Sequence, residues 1–314
     1  MNPTQKGMAA MVGATVIWGL SSMYYKLLAH VPPLEVMAHR TLWSLVFFGV
    51  VLALRGRLGE LRLLLSTPRN LGLVALAAVA ISTNWFVFIY SIQTGHAVEA
   101  ALGYYIFPLV AVLLGLAVFG ERLGRFKWLA VGLAFLAVAV LTLGLGVAPW
   151  ISLALALTFG LYGMLKKQLA AGPTVSVTAE VVVLAPVALI WLWGVHTQGW
   201  AGLTGRNLGA FGQTLPDSLL LMFSGVLTAM PLMLFTTASR SLPLGTVGVM
   251  QYINPTLQFG VAALVFAEPV TRWHWIAFPL IWIAVALYSV DTIRQDRSAR
   301  RLSARVATSA TSET

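Results

Sequence analysis

Apolar residues fall in long runs broken only by short polar stretches, and no stretch alternates in the way a half-buried strand would. Ten runs can be marked out, at 7–29, 34–54, 70–93, 95–119, 126–146, 148–166, 175–195, 217–239, 246–268 and 276–293. Each is near the roughly 20 residues that a helix needs to cross a bilayer core. Hydrocarbon offers nothing to satisfy an exposed backbone, so helices are the natural spanning element. The pattern predicts an all-α integral membrane protein with ten transmembrane helices.

The runs are related to one another. Ala97 to Trp128 matches Leu244 to Trp275 without a gap at a shift of 147, with eight identities in 32 positions. Among them are Tyr105, Ile106 and Pro108 on Tyr252, Ile253 and Pro255, and Glu121 on Glu268. A shift of 141 relates the first two runs to the sixth and seventh, placing Gly19, Leu20 and Lys26 on Gly160, Leu161 and Lys167. The repeat therefore covers five spans per half, 1–146 and 147–293, followed by a tail at 294–314. Five is odd, so the halves cross the membrane in opposite senses. Two inverted five-helix repeats are a design of alternating-access transporters, in which paired helix breaks mark the substrate site. The Tyr-Ile-x-Pro steps of the fourth and ninth spans are read as those breaks.

Composition agrees with the pattern: 59% of the 314 residues are hydrophobic and 10% charged, far from a soluble domain. With the N-terminus inside, sixteen Lys and Arg residues fall on the inner side and two, Arg206 and Arg272, on the outer. Both termini are thus expected in the cytoplasm. The net charge of +10 is mostly this topology signal. It is spread over loops and tail rather than gathered on one face, and no nucleic-acid partner is expected. The first run is too long for a signal-peptide core and lacks a clear cleavage site. The Arg-, Ser- and Ala-rich tail after Asp291 is expected to be disordered. The chain has no cysteine, and its five histidines are scattered without a pair at ligand spacing, so neither a metal site nor a cofactor is expected.

Ionisable groups within spans are costly and are functional candidates. Lys26, Glu35, His39 and Arg40 gather toward the outer side, and Lys166, Lys167 and Glu180 toward the inner side. They read either as gates flanking a cavity or as charges snorkelling to the helix ends. Arg40 lies about 9 Å inside its span and favours function. His39 and Glu180 are the residues able to couple protons, since no carboxylate lies near the midplane. Near the middle of the spans lie Asn84, Trp85, Tyr104, Tyr105 and Pro108, then Gln251, Tyr252, Asn254, Pro255 and Gln258. Singly, such residues read as interhelical hydrogen bonds; as a set placed in two repeats they read as a lined cavity. Substrate binding is therefore assigned to Arg40, Asn84, Trp85, Tyr104, Tyr105, Gln251, Tyr252 and Asn254. Gating or coupling is assigned to Lys26, His39, Glu180, Pro108 and Pro255.

Several stretches in order resemble the RarD branch of the EamA-type drug/metabolite transporter superfamily. They are Ile17-Trp18-Gly19, Tyr24-Tyr25-Lys26, His39 to Ser44, Asn84-Trp85, Glu99 to Pro108, Leu161 to Lys167, Glu180 with Pro186, and Met250 to Leu257. The resemblance implies ten helices in two inverted halves, an inner-membrane location and a cavity lined by the first, third, fourth, sixth, eighth and ninth spans. It also implies a permease for small metabolites or drugs. Ser22 and Phe107 depart from the family pattern, which has proline and asparagine there. The expectation is a permease or exporter of a small organic solute working by alternating access. A lipid flippase or an integral-membrane enzyme acting on a lipid-linked substrate is the alternative. The enzyme reading lacks a nucleophile–base pair or metal cluster in the sequence.

Overall fold

The structure is a computed structural model that describes residues 3–119, 124–146, 149–202, 205, 209–242 and 244–312. Arg206 and Glu121 lie outside the described residues. The fold is all helical, with no strand among the described residues. In order the helices are α1 (Pro3–Leu27), α2 (Pro33–Leu54), α3 (Leu58–Ser66), α4 (Pro68–Gln93), α5 (Ala97–Phe119) and α6 (Arg125–Leu145). Then come α7 (Trp150–Lys167), α8 (Pro173–Gln198), α9 (Leu215–Ser241), α10 (Leu244–Met250), α11 (Ile253–Gly260) and α12 (Arg272–Ser312). Eight of the described helices are long and apolar enough to cross a membrane. The α7 helix and the divided stretch 244–265 fall outside that count.

Helix starts follow local chemistry. Proline opens α2, α4 and α8 in their first turn, where the missing N–H is no loss. Thr214 caps α9, its hydroxyl accepting from the Asp217 amide at 3.2 Å.

One element was not foreseen and two expectations are corrected. The connection at 55–69 contains the short helix α3, whose Leu61, Leu64 and Leu65 pack toward α4 and α8 while Leu58 and Leu63 stay exposed. Apolar residues at helical spacing are enough to fold it onto the bundle end. At its start Arg57 donates twice to Glu60, both at 2.6 Å, and that pairing holds the exposed Glu60 carboxyl below its usual range. The paired helix breaks are also unequal. The α5 helix runs unbroken through Pro108, whereas the ninth span divides at Gln251 and Tyr252. Pro255 cannot donate to the Gln251 carbonyl, and Asn254 takes it instead in a tighter turn, at 3.1 Å. Glycines 245 and 248 and the β-branched residues around them weaken the helix before that break; the Ala- and Leu-rich lead to Pro108 does not. A π-helical turn, Val261–Val265, follows α11. Finally, α12 continues to Ser312, so the tail read as disordered is helical; its Ala and Arg residues favour helix and no Gly or Pro interrupts them.

The bundle packs α5 along α7, α6 along α12, α1 along α9, α4 along α7, and α2 against both α8 and α9. Glycines permit the tightest approaches: a Cβ on Gly225 would sit 2.5 Å from the Trp43 backbone, and one on Gly103 2.8 Å from the Ser152 carbonyl oxygen. Two ends can be distinguished. At one, Ala210 and Phe211 of the connection between α8 and α9 lie against α2, with Ala210 buried and its amide donating to Glu35 at 2.6 Å. This is the loop end. At the other, α7 and α9 finish and α8 begins, with Lys166 and Arg240 nearby; this is the basic end.

Candidate functional site

A central cavity of about 600 Å³ is bounded by residues of α1, α2, α4, α5, α7, α8, α9, α10 and α11. Its walls are aromatic, including Trp18, Tyr25, Trp85, Phe88, Tyr104, Phe107, Phe159, Tyr162 and Phe235. The lining runs from Tyr25 and Arg40, near the loop end of their helices, to Lys166, Ser176 and the exposed Arg240 at the basic end. Among the described residues no Asp or Glu lines it.

Arg40 is 6% exposed and faces this cavity. Its guanidinium lies 3.9 Å from the Trp85 ring centre, and Nη1 donates to the Tyr25 hydroxyl at 2.8 Å. The Nε has no hydrogen-bond partner, and no carboxylate pairs with Arg40 among the described residues. A guanidinium over an indole and tied to the Tyr25 hydroxyl is held in orientation, and its unpaired Nε leaves donor capacity for an anion.

Asn84 and Tyr104 border the cavity as a joined pair. Asn84 Nδ2 donates to the Leu155 carbonyl at 2.9 Å and to Thr158 at 3.0 Å, and Tyr104 donates to Asn84 Oδ1 at 2.9 Å. Asn84 is thus committed to tying α4 to α7 and orienting Tyr104. Across the cavity, the break before α11 presents Gln251, Tyr252, Asn254 and Pro255, with Pro108 on the facing α5. Gln258 donates to Asn254 at 3.0 Å, leaving Gln258 Oε1 and the Tyr252 hydroxyl buried without partners.

Four expected site residues do not line the cavity. Tyr105, one position and about 100° around the helix from Tyr104, shares a 2.7 Å hydrogen bond with Thr256 and packs against Tyr252, Phe278 and Trp282. Lys26 is exposed at the end of α1, its ammonium 5.2 Å from the Phe266 ring centre, which is a snorkelled position. His39 lies toward the loop end, stacked on Phe211 at 4.7 Å. Glu180 is buried behind Lys166, accepting from it at 2.6 Å and from Tyr162 at 3.1 Å. This pair neutralises the lysine at the basic end of the cavity.

Sequence reasoning missed Tyr25, Phe159 and Tyr162. Phe159, Tyr162, Gly163 and Lys166 form one helical stripe of α7 facing the cavity. That spacing was the available signal, but an aromatic stripe in an apolar helix reads equally as core.

Comparison with known proteins agrees with this architecture. The model of the EamA-like transporter family matches residues 5–143. Protein RarD of Streptomyces exfoliatus is 42% identical over 95% of this chain and 93% of its own. Protein RarD of Salmonella typhimurium is 38% identical over 94% and 98%, and an uncharacterized transporter of Pseudomonas aeruginosa 39% identical over 95% and 97%. A solved crystal structure superposes on 93% of this chain and 98% of its own with a TM-score of 0.59 at 16% identity, a likeness of fold alone. With helices long and apolar enough to cross a membrane eight times over and relatives matched nearly end to end, the chain is a multi-pass membrane transporter that belongs to the RarD subfamily of the EamA-type drug/metabolite transporter superfamily.

Proposed function

We propose that the protein moves a small organic anion with an apolar or aromatic body across the plasma membrane, by alternating access through the central cavity. Arg40 carries the substrate class. A buried cation without a counter-charge is costly, and its place on a cavity wall suits a ligand that brings the negative charge. The aromatic walls suit the body of such a ligand.

Ten spans in two inverted halves, 1–146 and 147–293, are the architecture we infer. Equivalent contacts support it. A Cβ on Gly19 would meet Leu257 at 2.6 Å, and one on Gly160 would meet Val110 at 3.4 Å. These are matching pairs under the two sequence shifts, as are the α1–α9 and α7–α4 contacts. Tyr105 and Tyr252, repeat equivalents, stack on each other at 6.4 Å. The distribution of Lys and Arg favours cytoplasmic termini, which makes the basic end the inner face and the present cavity inward-facing.

A lateral groove of about 530 Å³ shares Pro173, Thr236 and Arg240 with the cavity and is otherwise lined by such residues as Phe47, Met230 and Met233. It favours, as a second reading, an amphiphilic anion entering from the bilayer.

The test is thermal stability of the purified protein against aromatic carboxylates, their neutral amides and acidic lipids. A ligand that binds the folded state raises the melting temperature by mass action. Carboxylates should do so in the wild type and in Arg40→Lys more weakly, and not in Arg40→Gln. Equal shifts with the neutral amides would defeat the proposal, and shifts confined to lipids would select the second reading.

A further inference from the structure

The loop end holds a cluster that the transport reading does not use. Glu35 and His39 stand one turn apart on α2, and His196 lies near the end of α8. One carboxylate oxygen and one nitrogen from each imidazole all lie within 4.8 Å of one another. Glu35 is fully buried and His39 is 5% exposed, while His196 is exposed. Glu35 Oε1 accepts from the Ala210 amide at 2.6 Å, yet Oε2 has no partner, and neither has His39 Nε2. Buried polar atoms are ordinarily satisfied, and here two lie unsatisfied in one small cluster. The loop is fitted around them. Phe211 covers the His39 ring, and Gly209, at φ 49°, brings its backbone so close to His196 that a Cβ would sit 3.0 Å from Nδ1.

We propose that Glu35, His39 and His196 form a binding site for a divalent transition metal, with Zn²⁺ the best fit. One carboxylate and two imidazoles are a three-ligand set of the kind zinc accepts, with a fourth position left for water. Hard cations such as Mg²⁺ prefer all-oxygen sites. Zinc–ligand bonds of about 2.0–2.2 Å put tetrahedral donors roughly 3.4 Å apart. From separations of up to 4.8 Å the donors therefore close by up to about 1.4 Å, a movement open to the exposed His196 side chain. The Ala210 amide on Glu35 is the outer-shell partner that ligating carboxylates characteristically have. A loop anchor alone would explain Glu35 Oε1 but neither of the unpaired atoms. Bound metal ties α2 to α8 and, through Glu35, secures the 209–211 loop over the closed end of the cavity. His39 and His196 are 157 positions apart in the chain, so no ligand spacing between them is visible in the sequence.

The inference is independent of the substrate. Full-length protein without a histidine tag, stripped by chelator in detergent, is titrated with Zn²⁺ and with Mg²⁺. One Zn²⁺ per chain and a higher melting temperature are expected, with no response to Mg²⁺. His196→Gln should weaken Zn²⁺ binding at least about tenfold, whereas His30→Gln, at a separate exposed His30–Asp217 pair, should leave it unchanged. Because His196 is exposed, its variant folds even if Glu35→Gln does not. Co²⁺ should give the visible bands of a four-coordinate site in the wild type and lose them in His196→Gln. No binding at one equivalent, or equal affinity in His196→Gln, overturns the proposal.

Discussion

Asn84 has both amide hydrogens and its carbonyl oxygen engaged, by Leu155, Thr158 and Tyr104. Its replacement by alanine strips partners from groups on two other helices. Asn84→Ala should lower stability by about 1–3 kcal/mol, seen as an earlier thermal transition in detergent. A variant as stable as the wild type would show that the residue faces ligand rather than α7. Arg40 and Asn84 were legible as cavity-lining candidates because a polar group within an apolar run is expensive. Trp85 and Tyr104 entered with them as members of a polar set near the middle of the runs. Tyr25, Phe159 and Tyr162 were not legible, since an aromatic ring costs nothing in either a core or a cavity wall. Tyr104 and Tyr105 show the same limit: adjacent identical residues give no hint of which one faces inward until the neighbouring helices are placed.

Among the elements, the junction between the ninth span and α5 is the most revealing. Glu268 accepts from the Ala97 and Val98 amides, both at 2.9 Å, so its carboxylate caps a helix 170 residues away in sequence. Ala267 just before it adopts a left-handed φ of 51°, a conformation that costs a non-glycine residue energy and turns Glu268 toward its targets. Charge-assisted hydrogen bonds to a helix N-terminus are among the stronger ones. Glu268→Ala should therefore cost about 2 kcal/mol, measured as a fall in melting temperature, with Glu268→Gln intermediate; an unchanged transition in both would deny the cap any stabilising role. Eight helices long and apolar enough to cross a membrane were readable from hydrophobic run length. The capping partner was not, because nothing local to Glu268 says where the start of α5 will be. The unequal proline breaks were likewise hidden, since they depend on glycine and β-branched neighbours more than on the proline both copies share.

At the scale of the whole molecule, the chain's lack of cysteine makes accessibility measurable one site at a time. Ser239 lines the cavity near the basic end, and Thr94 is exposed at the loop end. With the basic end inside, Ser239→Cys should react with an impermeant maleimide from the cytoplasmic face only, and Thr94→Cys from the opposite face only. The reverse pattern would invert the topology. The proposed repeat rests on identities at fixed shifts in the sequence, but which end of the cavity stands open is a property of packing and no residue pattern carries it.

The buried Arg40 of the cavity also has an electrical consequence. For the proposed anionic substrate, Arg40 stays with the protein while the anion leaves, so each turnover that carries a monovalent anion unaccompanied would shift one negative charge across the membrane. With the cell interior negative, outward passage of that charge is favoured by about 2.3 kcal/mol per 100 mV. A cavity whose described lining holds no carboxylate to ferry a proton can then work as an exporter driven by the membrane voltage itself.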